Sequence, residues 1–173
     1  MPGAALSEVE KICSDVDEPA SVTQGARHVM FKVGDTMLVS RRLEGEFLAY
    51  RQAIPRNNTI HVEGETRALL SSIDRVSLII SDKLKSPLRC VFDSNLLKIS
   101  TKTAIGDAYD ECPLSGDGGG LEIGFNNKYL MDAPADKVRL ELTTGVSPCV
   151  ILPTEGEENF LYMVLPVRLK AGE

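Results

Sequence analysis

The sequence predicts an α+β protein built from pseudo-symmetric strand-helix-strand-strand-strand halves with antiparallel sheets. Three observations carry this prediction. Short apolar runs of strand period are interrupted once per unit by a stretch of helical spacing. The unit recurs two and a half times, at roughly 50 to 60 residues per copy. Aromatics are only 5% of the 173 residues, with no Trp, while Val, Ile, Leu and Thr are abundant, so the core must be aliphatic and sheet-rich.

From Gly3 to Cys13, apolar residues fall at Ala5, Leu6, Val9, Ile12 and Cys13, with Ser7, Glu8, Glu10 and Lys11 opposite them, which predicts a short amphipathic helix. The acidic stretch 15–20, with Pro19, reads as a loop. Strands follow at Ser21–Gln24, Ala26–Val33 and Thr36–Leu43, joined by tight turns at Gln24-Gly25 and Gly34-Asp35. A loop holding Phe47, Tyr50 and Pro55 leads to a strand at Thr59–Glu63. A helix from Glu65 to about Ile80 presents Leu69, Leu70, Ile73, Val76, Leu78 and Ile80 as its apolar side.

Three strands are then expected at Leu88–Asp93, Leu96–Thr101 and Ala108–Leu114, separated by Ser94-Asn95 and by Ala104–Gly106. Ser115–Gly120 reads as a glycine-rich linker. It is no phosphate loop, because it lacks the Gly-Lys-Ser ending and does not lead from a strand into a helix. Beyond it come a strand at Leu121–Phe125, a helix from Asn126 to Ala133 stopped by Pro134, and strands at Lys137–Thr143, Pro148–Leu152 and Phe160–Leu169. Thr144-Gly145 turns the first pair, and an acidic loop at 153–159 joins the second. The expected domains are therefore residues 1–57, an incomplete half-unit without its leading strand, and residues 58–173, two halves around a linker. The simplest account is a C-terminal piece of something longer.

Composition narrows function. Nineteen Lys and Arg stand against 25 Asp and Glu, and the net charge of -6 opposes tight electrostatic binding to nucleic acid or an acidic membrane. Few aromatics also disfavour a stacking platform for single strands. Cys13, Cys90, Cys112 and Cys149 are far apart in apolar runs, the pattern of buried thiols in a reducing cell and of neither a zinc site nor a disulfide framework. No signal peptide or membrane span is read, so a cytoplasmic protein with no membrane partner is expected. His28 and His61 sit in strand patterns with no recurring nucleophile or acid, and the carboxylate runs at 15–18 and 155–158 read as solvated loops. No catalytic residue, metal site or cofactor is expected.

Three motifs carry a resemblance. Gly45-Glu46-Phe47-Leu48-Ala49-Tyr50-Arg51-Gln52-Ala53-Ile54-Pro55 resembles the interdomain segment of bacterial sliding clamps, usually Gly-x-Phe-Pro-Asp-Tyr-x-x-x-x-Pro. The run Leu121-Glu122-Ile123-Gly124-Phe125-Asn126-Asn127-Lys128-Tyr129-Leu130 is similar to the strand and helix that open the second half of that family's third domain. Tyr162-Met163-Val164-Leu165-Pro166-Val167-Arg168-Leu169 resembles its C-terminal strand and tail. Order and spacing agree from about Pro2 to Leu169, so the chain is identified as similar to the DNA polymerase III beta subunit family. A departure is local: the helix ends at Pro134 about one turn early, as though some four residues were lost between Asp132 and Lys137.

The resemblance implies the DNA-clamp fold, with the second half of domain two followed by domain three. It implies a non-catalytic accessory subunit of DNA polymerase III, whose holoenzyme polymerises DNA: a processivity factor that encircles duplex DNA as a head-to-tail ring only at full length. The alternative is a truncated clamp acting as a non-encircling interaction module. Sliding needs only weak phosphate contacts from inner helices, for which Lys11, Arg67, Arg75 and Lys128 are the candidates. Polymerase III subunits and the clamp loader would dock short linear motifs into an apolar groove. By position, that groove comprises Leu48, Gln52, Ala53, Asn126, Tyr129, Val146 and Pro148 with the tail residues Met163, Val164, Leu165, Pro166, Val167, Arg168 and Leu169. Leu48 replaces the usual Pro, and Gln52 a commonly basic residue. The unpaired apolar stripe of the N-terminal half-unit adds an expectation of self-association.

Overall fold

The computed structural model describes residues 1–14, 16–81, 86–130, 136–154 and 160–169. The chain divides into two compact units, Met1–Leu48 and Ala49–Glu173, so that residues 49–57 go with the second.

In the first unit, helix α1 (Gly3–Ser14) precedes an antiparallel meander of β1 (Ser21–Gln24), β2 (His28–Val33) and β3 (Thr36–Arg41), in the order β1-β2-β3. Strand β2 starts two residues later than expected because Gly25 N–H donates to His28 O at 2.8 Å, which spends Ala26 and Arg27 on the turn. Gly34, at φ +54°, supplies the left-handed corner of the next turn. Helix α1 packs across β2 and β3. The register puts Phe31 opposite Leu38 and Val29 opposite Ser40, and this face is the more buried of the two.

The second unit contains α2 (Tyr50–Ala53), β4 (Ile60–Glu65), α3 (Thr66–Ser77), β5 (Leu88–Thr103), β6 (Gly106–Phe125), α4 (Asn127–Leu130), β7 (Lys137–Leu142), β8 (Cys149–Pro153) and β9 (Tyr162–Val164). Its sheet runs β5-β6-β4-β7-β8-β9, antiparallel throughout. The two halves cross-pair reciprocally. Strand β4 of the first lies on β7 of the second, with Val62 opposite Leu140, while the start of β5 lies on the end of β6, with Cys90 opposite Ile123. Helices α3 and α4 also touch. Leu69, Ile73 and Val76 of α3 are buried over Phe92, Ile99, Phe125, Leu140 and their neighbours. Each such side chain contributes about 1.5–3 kcal/mol from desolvation.

Several expectations are corrected. Ser94-Asn95 does not separate two strands: β5 is continuous there, with Asn95 at φ 56° and register shifts on both sides of Ser94, across each of which β6 advances four residues to two on β5. Turn residues also occur at irregularities within strands, and across this one the buried positions move from Leu88, Cys90 and Phe92 to Leu97, Ile99 and Thr101. The glycine run 115–120 is no linker but the middle of β6, where Ser94 pairs with Asp117 and Glu63 with Ser115. Glycine serves there because backbones approach closely: a Cβ on Gly118 would lie 2.3 Å from Phe92 O.

Helix α3 ends at Ser77 rather than near Ile80, leaving Leu78 exposed instead of on the apolar side. The expected long C-terminal strand is only β9, because Pro166 cannot donate to a ladder. Residues beyond it leave β8, and Val167 forms an isolated antiparallel bridge with Gly124. The expected helix end at Pro134 and most of the acidic loop 153–159 lie outside the described residues. Among the described residues no helix is long and apolar enough to cross a membrane.

Candidate functional site

Within the second unit, several of the residues expected to form the groove lie on or beside the segment where β6 gives way to α4. Asn126 starts this helix: its Oδ1 accepts from Lys128 N–H at 3.0 Å, and its carbonyl accepts from Tyr129 N–H at 3.1 Å. The side-chain acceptor satisfies a donor that the first turn would otherwise leave free. Tyr129 is 58% exposed, and its carbonyl accepts from Tyr162 Oη of β9 at 2.7 Å. This bond ties the α4 backbone to the strand that carries the tail.

The turn between β7 and β8 is set by Thr144 and Ser147, whose hydroxyls are 2.7 Å apart, while Ser147 N–H donates to Thr144 O at 3.2 Å. Gly145 brings this turn against β6 so closely that a Cβ would meet Glu122 O at 2.5 Å. Val146 at its tip is 74% exposed, and Pro148, half-buried, leads into β8. Met163 and Val164 lie on β9 opposite Val150 and Cys149, with Val164 buried. The tail then turns outward. Leu165 is 62% exposed, and Val167 N–H donates to Gly124 O at 2.7 Å. Arg168 is exposed, while Pro166 and Leu169 are half-buried.

Asn126, Tyr129, the Val146 turn, Val167 and Leu169 thus lie on or beside the segment Glu122–Asn126 of one unit, while Met163 and Val164 pair with β8. Gln52 and Ala53 lie exposed on α2 of that unit, and Leu48 belongs to the first unit, where it is exposed. Three contributors escaped the sequence: Tyr162, Gly124 and Gly145. Tyr162 stands in the tail motif, but its bond to Tyr129 spans elements that periodicity cannot connect. The glycines matter through close approaches that only folding reveals.

The basic residues differ among themselves. Lys11 on α1 is exposed and bonded to Glu8 at 2.7 Å; this hydrogen bond, then the Glu8 charge, raises its pKa. Arg67 and Lys128 are exposed on α3 and α4. Arg75 is held by Asp110, from Nε at 2.8 Å, and by Ser72. Burial drives the Asp110 pKa upward, but the Glu111 N–H bond and the Arg75 hydrogen bond and charge outweigh it, leaving the carboxyl below its ordinary value. Among the described residues no cluster of His, Cys, Asp and Glu could hold a metal ion.

A family model described as the DNA polymerase III beta subunit, C-terminal domain, matches residues 51–168. The chain belongs to this beta subunit family. The match takes in Arg51–Ala53 of α2, all of α4, the Val146 turn and the tail to Arg168, which is every groove candidate except Leu48 and Leu169.

Similarity extends upstream of the family match. The beta sliding clamp of Staphylococcus aureus is 30% identical over 174 residues, covering 97% of this chain and 46% of that protein. That of Staphylococcus epidermidis is 31% identical with the same coverage. A crystal structure of a beta subunit from Eubacterium rectale superposes with a TM-score of 0.81 at 29% identity, over 96% of this chain and 46% of that one. A clamp from Bartonella birtlesii, solved bound to griselimycin, gives 0.83 at 26% identity, over 98% and 46%. The chain spans about half the length of the curated relatives it matches.

Proposed function

We propose that this chain carries the partner-docking part of a replicative sliding clamp, a processivity factor for DNA polymerase III in the bacterial cytoplasm. The supporting observation is that three exposed apolar side chains of one unit, Tyr129, Val146 and Leu165, stand on segments fixed by hydrogen bonds and close glycine contacts to Glu122–Asn126 and to β9. Exposed apolar side chains of this kind, on a chain of net charge -6, fit a short apolar peptide. Polymerase III subunits and the clamp loader would present motifs containing Gln and Leu or Phe. The griselimycin-bound relative supports ligand capture by this fold. Duplex DNA would be held by encirclement in the full-length ring, with Arg67, Lys128 and Lys11 making weak contacts to phosphates. The non-encircling interaction module is the second reading. Retention on nicked circular DNA after loading separates the two.

Docking is tested by titrating a fluorescent Gln-Leu-Phe peptide against the parent and against Leu165→Asp. An apolar anchor gains about 1.5–3 kcal/mol from desolvation, so losing it should weaken binding tenfold or more at about 1.4 kcal/mol per decade. Equal affinities, or no saturable binding by the parent, would remove the docking reading.

A further inference from the structure

Strand β6 ends Leu121-Glu122-Ile123-Gly124-Phe125. Ile123 and Phe125 are buried completely, so strand alternation sends positions 122 and 124 to the opposite face. Glu122 is exposed there, as alternation demands, yet Gly124 is buried. The tail is what buries it. On one edge Gly124 pairs with Arg89 of β5, and on the other its carbonyl accepts the Val167 N–H at 2.7 Å.

A Cβ built on Gly124 would lie 2.4 Å from Val167 O, 2.8 Å from Leu169 Cδ2 and 2.9 Å from Leu169 Cγ, and these are its three nearest atoms. All belong to the tail. The backbone at Gly124 is not in the left-handed region, so its conformation is open to other residues. Glycine is therefore required at this position by the approach of the tail.

We propose that Gly124 is a positioning residue for the docking groove: it makes the seat into which Val167 and Leu169 settle, and thereby fixes Leu165 and Pro166 as one wall. It rests on the docking reading above and adds to it a residue that meets the peptide only through the tail. The seat consists of one backbone hydrogen bond and one side-chain contact, on a segment whose ladder to β8 has already ended at Val164. Pro166 supplies no donor of its own. Among the described residues, the Val167–Gly124 bond is the one backbone hydrogen bond of the tail beyond β9, and a wall that must be ordered on binding weakens affinity.

The test compares the full chain with Gly124→Ala by two readouts: binding of the Gln-Leu-Phe peptide and exchange of the Val167 amide hydrogen. The expected result is a native far-UV spectrum, binding weakened about tenfold or more, and Val167 exchange accelerated by a similar factor. Should Gly124→Ala fail to fold, Leu169→Ala keeps the glycine, removes the side chain lying over it, and is expected to move both readouts in the same direction. Unchanged binding overturns the proposal, as does weakened binding with Val167 exchange unaltered. A parent chain that binds no peptide overturns the docking reading and, with it, any role of Gly124 in docking; binding by the parent and by Gly124→Ala alike overturns the role of Gly124 alone.

Discussion

Arg75 of α3 donates from Nε to Asp110 Oδ2 of β6 at 2.8 Å, and the same guanidinium donates to Ser72 Oγ at 3.1 Å. A residue that the sequence offers as a phosphate contact is thus also a tie between helix and sheet. Its side chain is 58% exposed and that of Asp110 25%, so the pair should contribute about 0.5–1 kcal/mol.

The pH dependence of this tie follows from the lowered Asp110 pKa. A depressed carboxylate stabilises the fold above the unfolded-state value, about 3.9, and loses that contribution as pH falls through the folded value. Asp110→Asn should therefore lower stability by about 0.5–1 kcal/mol near pH 7, and the gap from the parent should close below about pH 3.9. Urea unfolding at both pH values measures it. A gap that persists in acid would place the effect in packing rather than charge.

Tyr162→Phe removes the hydroxyl that donates to Tyr129 O at 2.7 Å. A hydrogen bond of this kind contributes about 0.5–1.5 kcal/mol net. The carbonyl left behind belongs to an exposed residue and can turn to water, so the fold should survive. Helix α4 would lose its tie to β9, and Tyr129 would no longer be held beside the tail. Peptide affinity should fall severalfold, to at most about tenfold, with stability reduced by about 1 kcal/mol. Calorimetric titration of the folded variant decides it; full affinity would mean that α4 is positioned by α3 alone.

Much of the fold was legible because several elements obey one period throughout. Strand β7 alternates without exception, burying Val138, Leu140 and Leu142, and α3 buries Leu69, Ile73 and Val76 at helical spacing. What misled was chemistry common to turns and bulges. Asn95 adopts a positive φ as a turn residue would, yet the chain goes straight on. The buried positions change parity, even-numbered before Asp93 and odd-numbered after Asn95, but apolar Val91 and Leu96 mask that change in the sequence. The groove residues came from resemblance, because Tyr129, Val146 and Leu165 are exposed apolar side chains with no periodic signature. Tyr162, Gly124 and Gly145 act through contacts between distant segments, which no local pattern encodes.

The thiols should separate by burial. Desolvation pushes the Cys90 pKa up to about 12, and burial likewise raises those of Cys149 and Cys112. The thiolate is the reactive form, so all three should resist alkylation near neutral pH while the fold holds. Cys13, half-buried on α1, should react first. Mass spectrometry after brief iodoacetamide treatment should find label at Cys13, with Cys90 and Cys149 labelled only as fast as the second unit opens. Labelling of Cys90 at the rate of Cys13 would show that the core of that unit is not closed.

The last prediction concerns the glycine run that reads as a linker and folds as a strand. A Cβ on Gly118 would lie 2.3 Å from Phe92 O and 2.4 Å from Phe92 Cβ, both parts of a fully packed core strand that cannot easily give. Gly118→Ala must force β5 and β6 apart at the bulge, at a cost of about 1–3 kcal/mol. Gly119 has nothing within 4 Å of its Cβ position and sits at φ +62°, so Gly119→Ala meets only the left-handed penalty of about 1 kcal/mol. At about 2–4 °C per kcal/mol, Gly118→Ala should melt several degrees below the parent and below Gly119→Ala. In an open linker the order would reverse, since space would be free at both positions and only the positive φ would cost. Equal or inverted melting temperatures would therefore argue against a continuous β6.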